Sequence, residues 1–423
     1  MPPVPPPEPD VELAARLFDT LRENTFDGIG ITRASFGEGE QFAHDLVAGA
    51  GRDLGLEVAA DFAGNLYLTQ PGRDRGAKRV VFGSHLDSVP KGGNFDGAAG
   101  VLAGLAVVSG LAKAGATPAQ DVTAMAIRAE ESTWFPNSLT GSRAALGTLP
   151  PAVLDEVRRS DTGRSLADHM GELGFDSERV RRGEAYLSPA NTAVFIEVHI
   201  EQGPVLIEEN LPIAVVTGIQ GAIRWRHARI VGAYGHSGTV PRHHRRDALA
   251  ALVEFGARIE KRWAELDAAG RQMVGTFCTL NTRPGKAAMV RIPGEVDFAL
   301  DIRSTSQATL DEMEALISAL VSEIEARRRI TFELGKKTDL APNICDAGVR
   351  DGLLAEARAA EVRFKEMPSG GGHDTQAFLE AGIPAAVLFV RNENDSHNPD
   401  EMMEIPDFAE ACRVLMGFVA AHG

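Results

Sequence analysis

The chain has few cysteines, no long apolar run and no excess of positive charge, and each of these deficits excludes a class of protein. Three cysteines among 423 residues stand far apart and in no C-x-x-C spacing, which argues against a disulfide framework and predicts a reducing, cytoplasmic location. The longest uncharged apolar run, residues 97–112, is shorter than the about 20 residues that a membrane helix needs. The net charge of −16 argues against nucleic acid or an anionic membrane as the main partner.

The beginning of the chain also lacks the features of an export signal. Residues 1–10 are rich in proline, contain no Lys or Arg and have no apolar segment. We therefore expect an extended, loosely held tail. The length of 423 residues and the hydrophobic content of 44% are typical of a globular protein with two domains.

Residues 80–100 contain the densest pattern of chemically useful side chains. A short apolar run ends at Gly83, so His85 and Asp87 follow at the carboxyl end of a predicted strand. Residues two apart in an extended chain lie on one face, and a carboxylate beside an imidazole can fix its tautomer, as it does for metal-bound histidine. Asp96 follows a Gly-rich turn and precedes an apolar helix, from which its carboxylate can reach back toward His85.

Helical patterns and short apolar runs alternate along the first 200 residues. They predict helices at 11–24, at 42–54 and after Asp96, and strands at 57–62, 65–70, 80–85, 121–129 and 192–200. Strands that alternate with helices indicate an α/β sheet, in which functional groups gather at the carboxyl ends of the strands.

Two of these strands end in further candidate groups. Glu130 and Glu131 follow the strand at 121–129, and two such carboxylates are as often solvated surface as part of a site. Beside the His85 segment, one would bind metal and the other would hold and deprotonate the attacking water. His199 lies at the end of the strand at 192–200. A lone histidine there is more often structural, but His85, Asp96 and Glu131 leave the site short of neutral nitrogen ligands.

Residues 217–336 have a different pattern from the rest of the chain. Their predicted order of elements is β-α-β-β-α-β, with strands at 224–234, 273–282, 295–304 and 330–334 and helices at 246–268 and 309–327. This is the order of a ferredoxin-like unit. We interpret it as an inserted domain, so that residues 1–216 and 337–423 form one catalytic domain.

The insert contains its own polar group, centred on His236. Glycines on both sides let the backbone approach a ligand closely, although a plain loop with a basic helix start would look similar. Arg303 is the second candidate in the insert, because a planar guanidinium suits a substrate carboxylate.

The last part of the chain returns to the catalytic pattern. A Gly-rich turn at 369–374 precedes a helix, and its backbone N–H groups could line a substrate pocket. His397 follows the strand at 385–390 and is the natural fifth ligand. We assign four residues to substrate binding: Gln202, Ser369, Gly370 and Gly371.

Together these strings resemble the N-carbamoyl-L-amino-acid hydrolase and allantoate amidohydrolase family, within the dinuclear metallohydrolases that include aminoacylases and carboxypeptidase G. The resemblance covers about residues 13–419 and rests on G-S-H-L-D-S-V, G-G-N-F-D-G, A-E-E-S-T-W-F, E-V-H-I-E-Q-G-P-V-L, G-H-S-G-T-V-P, I-P-G-E-V-D-F-A-L-D-I-R-S, P-S-G-G-G-H-D and S-H-N-P-D-E. The E-x-H-I-E-Q-G-P-V-L string is especially specific, since other branches usually have a carboxylate where His199 stands.

The resemblance implies an α/β catalytic domain, whose mixed central sheet is flanked by helices, with an inserted ferredoxin-like lid. It also implies two divalent ions per subunit, zinc or manganese, with cobalt or nickel as further candidates, bridged by Asp96. His85 and His199 would complete the protein ligands of one ion, and Glu131 and His397 those of the other.

The resemblance further implies hydrolysis of a C–N amide or ureido bond in an N-carbamoyl or related N-acyl amino acid. The nucleophile would be a water that bridges the metals, with Glu130 as general base and Asp87 as an orienting carboxylate. His236 would come from a partner subunit to stabilise the oxyanion, which implies a homodimer through the inserted domain. Arg303 would hold the carboxylate of the small-molecule substrate.

The chain departs from the family at positions near the expected substrate. Gly235 stands where the family usually has an amide, and Arg242 where it has methionine. No asparagine occurs at Met289 or Val290, and Arg291 is added. Because the family asparagine helps to hold the substrate carboxylate, these changes suggest a differently placed acid group.

Three functions remain open at this point. The first is a dinuclear metal amidohydrolase that acts on a carbamoyl or ureido compound, and the second an aminoacylase or dipeptidase that acts on a plain amide. The third is a non-catalytic binding protein on the same scaffold; loss of Glu130 would have favoured it, and Glu130 is present.

Overall fold

The computed structural model describes residues 7–422, and its contacts divide the chain into two compact units. Unit 1 contains the chain up to Thr217 and from Cys345 onward, and unit 2 contains Gly218–Ile344. The strands are β1 Glu57–Ala60, β2 Leu66–Gln70, β3 Arg79–His85, β4 Val122–Ile127, β5 Thr192–Ile200, β6 Ile213–Ile219, β7 Gly221–Val231, β8 Gly235–His236, β9 Val274–Thr282, β10 Arg291–Ile292, β11 Glu295–Ser304, β12 Thr331–Glu333, β13 Lys337–Leu340, β14 Asn343–Ile344, β15 Phe364–Ser369 and β16 Ala385–Val390. The helices are α1 Val11–Thr25, α2 Glu38–Asp53, α3 Ala98–Lys113, α4 Thr140–Ala145, α5 Pro151–Glu156, α6 Leu166–Glu172, α7 Ser177–Arg181, α8 Val205–Glu208, α9 Ala248–Ala268, α10 Gln307–Arg328, α11 Ala347–Ala359, α12 Thr375–Glu380 and α13 Ile405–His422, with a 3₁₀ turn at Arg242–His244.

The main sheet is mixed, as the sequence predicts for an α/β fold. Its strand order is β1-β2-β4-β3-β5-β16-β6-β14, and β15 also pairs with β6. The four neighbouring strands β4, β3, β5 and β16 run parallel to one another, whereas β2 and β6 flank them in antiparallel pairing. The carboxyl ends of those four central strands therefore meet at one edge of the sheet.

Helix α3 explains the long apolar run in the sequence. It is buried along almost its whole length, because it packs on β3 and β4 on one side and against α1 and α13 on the other. A Cβ atom at Gly100 would lie 2.2 Å from the backbone oxygen of Val198, so the glycine lets the helix approach the sheet closely. Among residues 7–422, no helix combines the length and apolar character needed to cross a membrane.

The predicted loose tail is only partly testable, because residues 1–6 lie outside the described part of the chain. Near its end the prediction is wrong. The backbone N–H of Asp10 donates to Ala106 at 2.8 Å, and its carboxylate accepts from Ser109 at 2.5 Å and contacts Lys113 at 2.6 Å. Asp10 also caps α1, so this part of the tail is held against α3.

Unit 2 contains an antiparallel sheet in the order β12-β7-β11-β9, with β13 also paired with β7. Helices α9 and α10 pack on this sheet over a core that includes Phe255, Phe298 and Ile317. A separate two-stranded ladder joins β8 and β10. Each helix and each strand predicted between residues 224 and 334 is present.

Two predicted elements have boundaries that were wrong by three or more residues. Helix α2 begins at Glu38 rather than at 42, because its first turn is polar and carries no apolar pattern. Strand β7 spans Gly221–Val231 rather than 224–234, since the chain leaves the ladder at Gly232, where a Cβ atom would lie 2.0 Å from the backbone oxygen of Arg246.

Candidate metal centre

The parallel strands of unit 1 bring five predicted ligands to one edge of the sheet. His85 is the last residue of β3, and His199 is the last but one of β5. Glu131 follows β4, and His397 lies in the loop after β16. Asp96 stands in the turn before α3, so all five side chains meet although they span more than 300 residues of sequence.

Asp96 lies at the centre of this group. Its Oδ1 is 3.1 Å from Nε2 of His199 and 3.6 Å from Nε2 of His85. Its Oδ2 is 3.2 Å from Nε2 of His397, which is also 3.1 Å from Oε1 of Glu131. The two oxygens of one carboxylate therefore face two different sets of partners.

The backbone fixes the tautomers of two of the histidines. Nδ1 of His85 lies 3.0 Å from the backbone oxygen of Asp87, and Nδ1 of His199 lies 2.9 Å from that of Ile200. Because a carbonyl oxygen can only accept, each Nδ1 carries the hydrogen and each neutral ring presents the lone pair of Nε2 toward Asp96. This second contact is typical of histidines that bind a metal.

The electrostatics of the group favour positive charge. Burial works to raise the pKa of Asp96, but its contacts with His199 and His397 hold that pKa well below its usual range. Hydrogen bonds with Asp96 and Glu131 raise the pKa of His397 to about 11. The carboxylates thus stabilise a cation strongly, and a divalent ion would supply that charge while leaving the ring nitrogens free to coordinate.

The donor set fits metal ions. Oδ1 of Asp96 is buried and accepts no hydrogen bond from any described residue, which is costly unless a cation or a water molecule faces it. Two groups with close donor atoms share this residue: His85, Asp96 and His199, and Asp96, Glu131 and His397. A third group, Glu197, His199 and His373, fits less well, because both Glu197 oxygens already accept hydrogen bonds from Ser84 and Thr375.

Asp87 connects the His85 strand to the two glutamates. Its carboxylate accepts the backbone N–H groups of Glu130 at 3.0 Å and Glu131 at 3.2 Å, and Ser35 donates to it at 2.6 Å. Its Oδ1 also lies 3.3 Å from Nδ1 of His85. Asp87 therefore orients both the imidazole and the turn that carries the glutamates.

Glu130 points into the same site without joining either of the two ligand groups. Its Oε2 lies 4.0 Å from Nε2 of His85, and the residue is 8% exposed. Burial raises the pKa of Glu130 well above its usual range, an effect that His85 opposes and Glu131 reinforces. A buried carboxylate of raised pKa beside a metal centre is suited to accepting and releasing a proton.

The turn before Glu130 is held by a buried ion pair. Ala129 has a φ of 50°, a left-handed conformation that is uncommon for a residue other than glycine. Its N–H donates to Glu40 at 2.9 Å, and Glu40 in turn accepts from Arg128 at 2.8 Å. Both side chains of the pair are almost fully buried.

We expect Arg128→Met to lower the free energy of unfolding of unit 1 by about 3–5 kcal/mol, because it leaves the Glu40 charge buried without its partner. Urea unfolding followed by tryptophan fluorescence measures the change. Arg75→Met is the matched control: it removes an exposed guanidinium that contacts Glu57 and Asp121, and it should cost less than about 1 kcal/mol. Equal losses in the two variants would contradict a stabilising role for the buried pair.

Sequence reasoning missed the function of Glu401 and Ser396. Oε1 of Glu401 accepts the backbone N–H groups of Phe95 and Asp96 at 3.0 and 3.1 Å, and Oε2 accepts from Ser396 at 2.6 Å. The hydroxyl of Ser396 also lies 2.9 Å from Oδ2 of Asp96. The only signal was that both residues belong to the S-H-N-P-D-E string around His397.

The predicted substrate-binding residues of unit 1 adjoin the metal centre. Nε2 of Gln202 donates to Oδ2 of Asp96 at 2.9 Å. A Cβ atom at Gly371 would lie 3.0 Å from Oε1 of Gln202, so the Gly-rich segment at 369–374, which includes Gly370, runs beside that amide. The hydroxyl of Ser369 is buried and contacts Nε2 of His373 at 2.8 Å. Ser369 therefore orders the loop.

His236 and Arg303 lie in unit 2. His236 is exposed, and its Nδ1 accepts the N–H of Gly238 at 3.1 Å. Arg303 donates to Asp301 at 2.9 and 3.1 Å. The five ligands, Glu130 and Asp87 thus belong to unit 1, and these two predicted groups belong to the other unit.

Comparisons with known proteins identify the family that the chain resembles. The profile of peptidase family M20/M25/M40 matches residues 81–421. An N-carbamoyl-L-amino acid amidohydrolase of Geobacillus stearothermophilus is 36% identical over 91% of this chain and 92% of its own, and the allantoate amidohydrolase of Escherichia coli strain K12 is 31% identical over 85% of each. The crystal structure of a hydantoinase/carbamoylase family amidase from Burkholderia ambifaria has a TM-score of 0.85 at 29% identity and covers 98% of both chains.

Proposed function

The chain belongs to peptidase family M20/M25/M40, and from this premise we propose that it is a metal-dependent amidohydrolase that cleaves a C–N bond of an N-carbamoyl or ureido compound, not a peptide bond. The observation that carries the proposal is the convergence of three imidazole Nε2 atoms on the two oxygens of Asp96, with Glu131 in contact with one of the three imidazoles, that of His397. The names of the two bacterial relatives support a carbamoyl or ureido substrate.

Two divalent ions fit the donor set. His85 and His199 would bind one ion and Glu131 and His397 the other, with Asp96 shared between them. Imidazole and carboxylate ligands suit zinc and manganese, and also cobalt and nickel. Bound ions would lower the pKa of a water molecule and polarise the scissile carbonyl.

Glu130 is the general base of the proposed reaction. Its carboxylate accepts a proton from the attacking water and returns it to the leaving nitrogen, since a raised pKa allows both transfers near neutral pH. Asp87 holds the N–H groups of the turn that carries Glu130, so it fixes the position of the base. Glu40 accepts the N–H of Ala129 and so holds the left-handed residue that precedes Glu130.

The substrate is held by groups from both units in this proposal. Gln202 and the segment at 369–374 would contact the ureido end, because they lie beside Asp96. Arg303 would bind the substrate carboxylate, and His236 would donate to the developing oxyanion. An oxyanion donor of this kind contributes about 3–4 kcal/mol to transition-state stabilisation.

We also propose that unit 2 is a ferredoxin-like lid and that it forms a homodimer. Strand β9 is at the edge of its sheet in the described chain, its residues are mostly exposed, and Leu280 is 55% exposed. Such an edge supports pairing with a second copy. A cytoplasmic location is consistent with the cysteines, since Cys278, Cys345 and Cys412 are all free thiols.

A mixing experiment tests whether His236 acts in the partner subunit. His236→Ala and Glu130→Gln should each be inactive, and mixed dimers of the two should regain activity, because one of their two sites contains both groups intact. Random reassortment makes about half of the dimers mixed, so recovery should approach one quarter of wild-type turnover. Subunit exchange that is confirmed by native mass spectrometry without recovered activity would place His236 in its own chain's site or in none.

The function itself is tested by assaying the metal-reconstituted protein against N-carbamoyl, N-formyl and N-acetyl amino acids. Ammonia release from the N-carbamoyl compounds is the expected result. Release of amine from the N-acetyl compounds alone would favour an aminoacylase or dipeptidase. No hydrolysis of any compound by protein with full metal content would favour the third candidate, a non-catalytic binding protein.

A further inference from the structure

Unit 2 is positively charged although the whole chain is acidic. Its residues 218–344 include 19 Lys and Arg and 15 Asp and Glu, a net charge of +4, whereas the whole chain has a net charge of −16. Most of these cations, such as Arg283 and Arg303, lie within 4.0 Å of a carboxylate. The exceptions are therefore candidates for binding an anion that the chain itself does not supply.

Arg291 is such an exception, and it lies beside His236. The two residues are directly opposite each other in the antiparallel pair of β10 and β8, so their side chains project from the same face. One guanidinium nitrogen of Arg291 donates to the backbone oxygen of Lys286 at 3.1 Å, and no described carboxylate lies within 4.0 Å of the group. The remaining donors of the guanidinium are available to a ligand.

A small cavity adjoins Arg291. Its volume is about 60 Å³, and Tyr234, Arg283, Lys286, Arg291 and Glu295 are among the residues that line it. Nζ of Lys286 lies 5.3 Å from the ring centre of Tyr234, and Cζ of Arg291 lies 6.0 Å from it. The hydroxyl of Tyr234 is buried and has no hydrogen-bond partner among the described residues. A buried hydroxyl without a partner indicates a missing group.

The charges around the cavity do not balance. Glu295 accepts from Arg283 at 2.9 Å and from Lys286 at 2.9 Å, so one carboxylate already faces two cations. Arg291 adds a third positive charge. A carboxylate is small enough for the cavity, would balance the charge, and matches the planar fork of a guanidinium.

We propose that Tyr234, Lys286 and Arg291 form a carboxylate subsite beside His236, and that the substrate is an N-carbamoyl derivative of a dicarboxylic amino acid. This inference rests on the proposed function, which puts His236 in contact with the substrate. A group that lies opposite His236 reaches the same molecule. The side-chain carboxylate enters the cavity of the subunit that supplies His236, and the α-carboxylate remains with Arg303 of the other subunit. Both groups cannot come from one chain, because Glu295 at the cavity and Arg303 stand at opposite ends of β11, about 26 Å apart along the strand.

A pair of matched substrates tests the subsite. N-carbamoyl-L-glutamate and N-carbamoyl-L-glutamine have the same shape and differ in one charge. Wild-type protein should show a kcat/KM at least tenfold higher for the glutamate derivative, the range expected of a hydrogen bond to a charged group. Arg291→Gln should reduce that preference about tenfold or more, mainly by raising KM, and Tyr234→Phe should reduce it less.

Arg226→Gln is the control. Arg226 is an exposed residue of β7 that does not line the cavity, and its replacement removes one positive charge from the same unit. It should leave the preference unchanged. An unaltered preference in Arg291→Gln, or an equal loss on both substrates, would overturn the subsite. A wild-type preference near one, with both compounds hydrolysed, would also overturn it and leave the proposed function standing.

Failure of the proposed function has a different signature. If no carbamoyl compound is hydrolysed by metal-loaded protein, calorimetric titration still tests whether the carboxylate subsite exists, independently of any hydrolysis. Glutarate should then bind wild-type protein at least tenfold more tightly than Arg291→Gln, and inorganic phosphate should bind neither as tightly. Equal binding of glutarate to both proteins, or tighter binding of phosphate, would reject a carboxylate subsite.

Discussion

Replacing Asp96 with asparagine is expected to remove most of the bound metal and to reduce turnover to background. Both oxygens of this carboxylate face ligand nitrogens, at 3.1 Å for His199 and 3.2 Å for His397. Asparagine keeps one oxygen and replaces the other with an NH₂ donor, which repels a cation and cannot bridge two ions. The loss should therefore affect both ions at once.

Metal content per chain, measured by inductively coupled plasma mass spectrometry after gel filtration, gives the result directly. His397→Ala should differ from Asp96→Asn, because His397 belongs to only one of the two ligand groups. It should retain about half of the wild-type metal. Asp19→Asn, a conservative change on the exposed surface of α1, is the control and should keep full content. Full metal content in Asp96→Asn would remove Asp96 from its bridging position.

The residues that meet around Asp96 could be predicted to lie close together because they stand at the ends of strands. His85, Glu131 and His199 each follow or end a short apolar run, and in a parallel sheet such positions meet at one edge. The pattern of apolar residues was therefore enough to predict the strands and the edge of the sheet at which these side chains meet. The sequence also predicted α3 as a buried helix from its uninterrupted apolar run.

The groups that hold the ligands in place could not be predicted in the same way. Glu401 accepts the N–H of Asp96 from 305 positions away, and no local pattern reports such a contact. Its approach requires Gly93, where a Cβ atom would lie 2.1 Å from the Glu401 carboxylate. The sequence predicts a turn at the two glycines before Asp96, whereas the structure shows that Gly93 makes room for a distant side chain.

Backbone conformation was a second feature of the site that could not be predicted from the sequence. Three non-glycine residues with positive φ adjoin the site: Ala129 at 50°, Gln202 at 60° and His397 at 61°. Ala129 and Gln202 give no sign of this in the sequence, since positive φ outside glycine is enriched at asparagine, aspartate and histidine. Such conformations persist only where surrounding contacts over-determine them, as Glu40 does for Ala129. They are set by the tertiary structure and not by local preference.

Glu130→Gln is expected to lower turnover by about 10²–10⁴-fold while metal content stays near that of wild-type protein. The amide keeps the size of the side chain and removes its capacity to accept a proton, which is the contribution of a general base. Metal should remain, because Glu130 is in neither proposed ligand group that shares Asp96 and its Oε2 lies 4.0 Å from Nε2 of His85.

Single-turnover kinetics and metal analysis of the same sample test this expectation together. Glu23→Gln, the same chemical change on the exposed surface of α1, should alter neither quantity. Turnover within about threefold of wild type in Glu130→Gln would exclude Glu130 as the base. Loss of turnover together with loss of metal would instead make Glu130 a ligand. A displaced backbone is not expected to cause that loss, because Asp87 accepts the backbone N–H of residue 130, which the substitution retains.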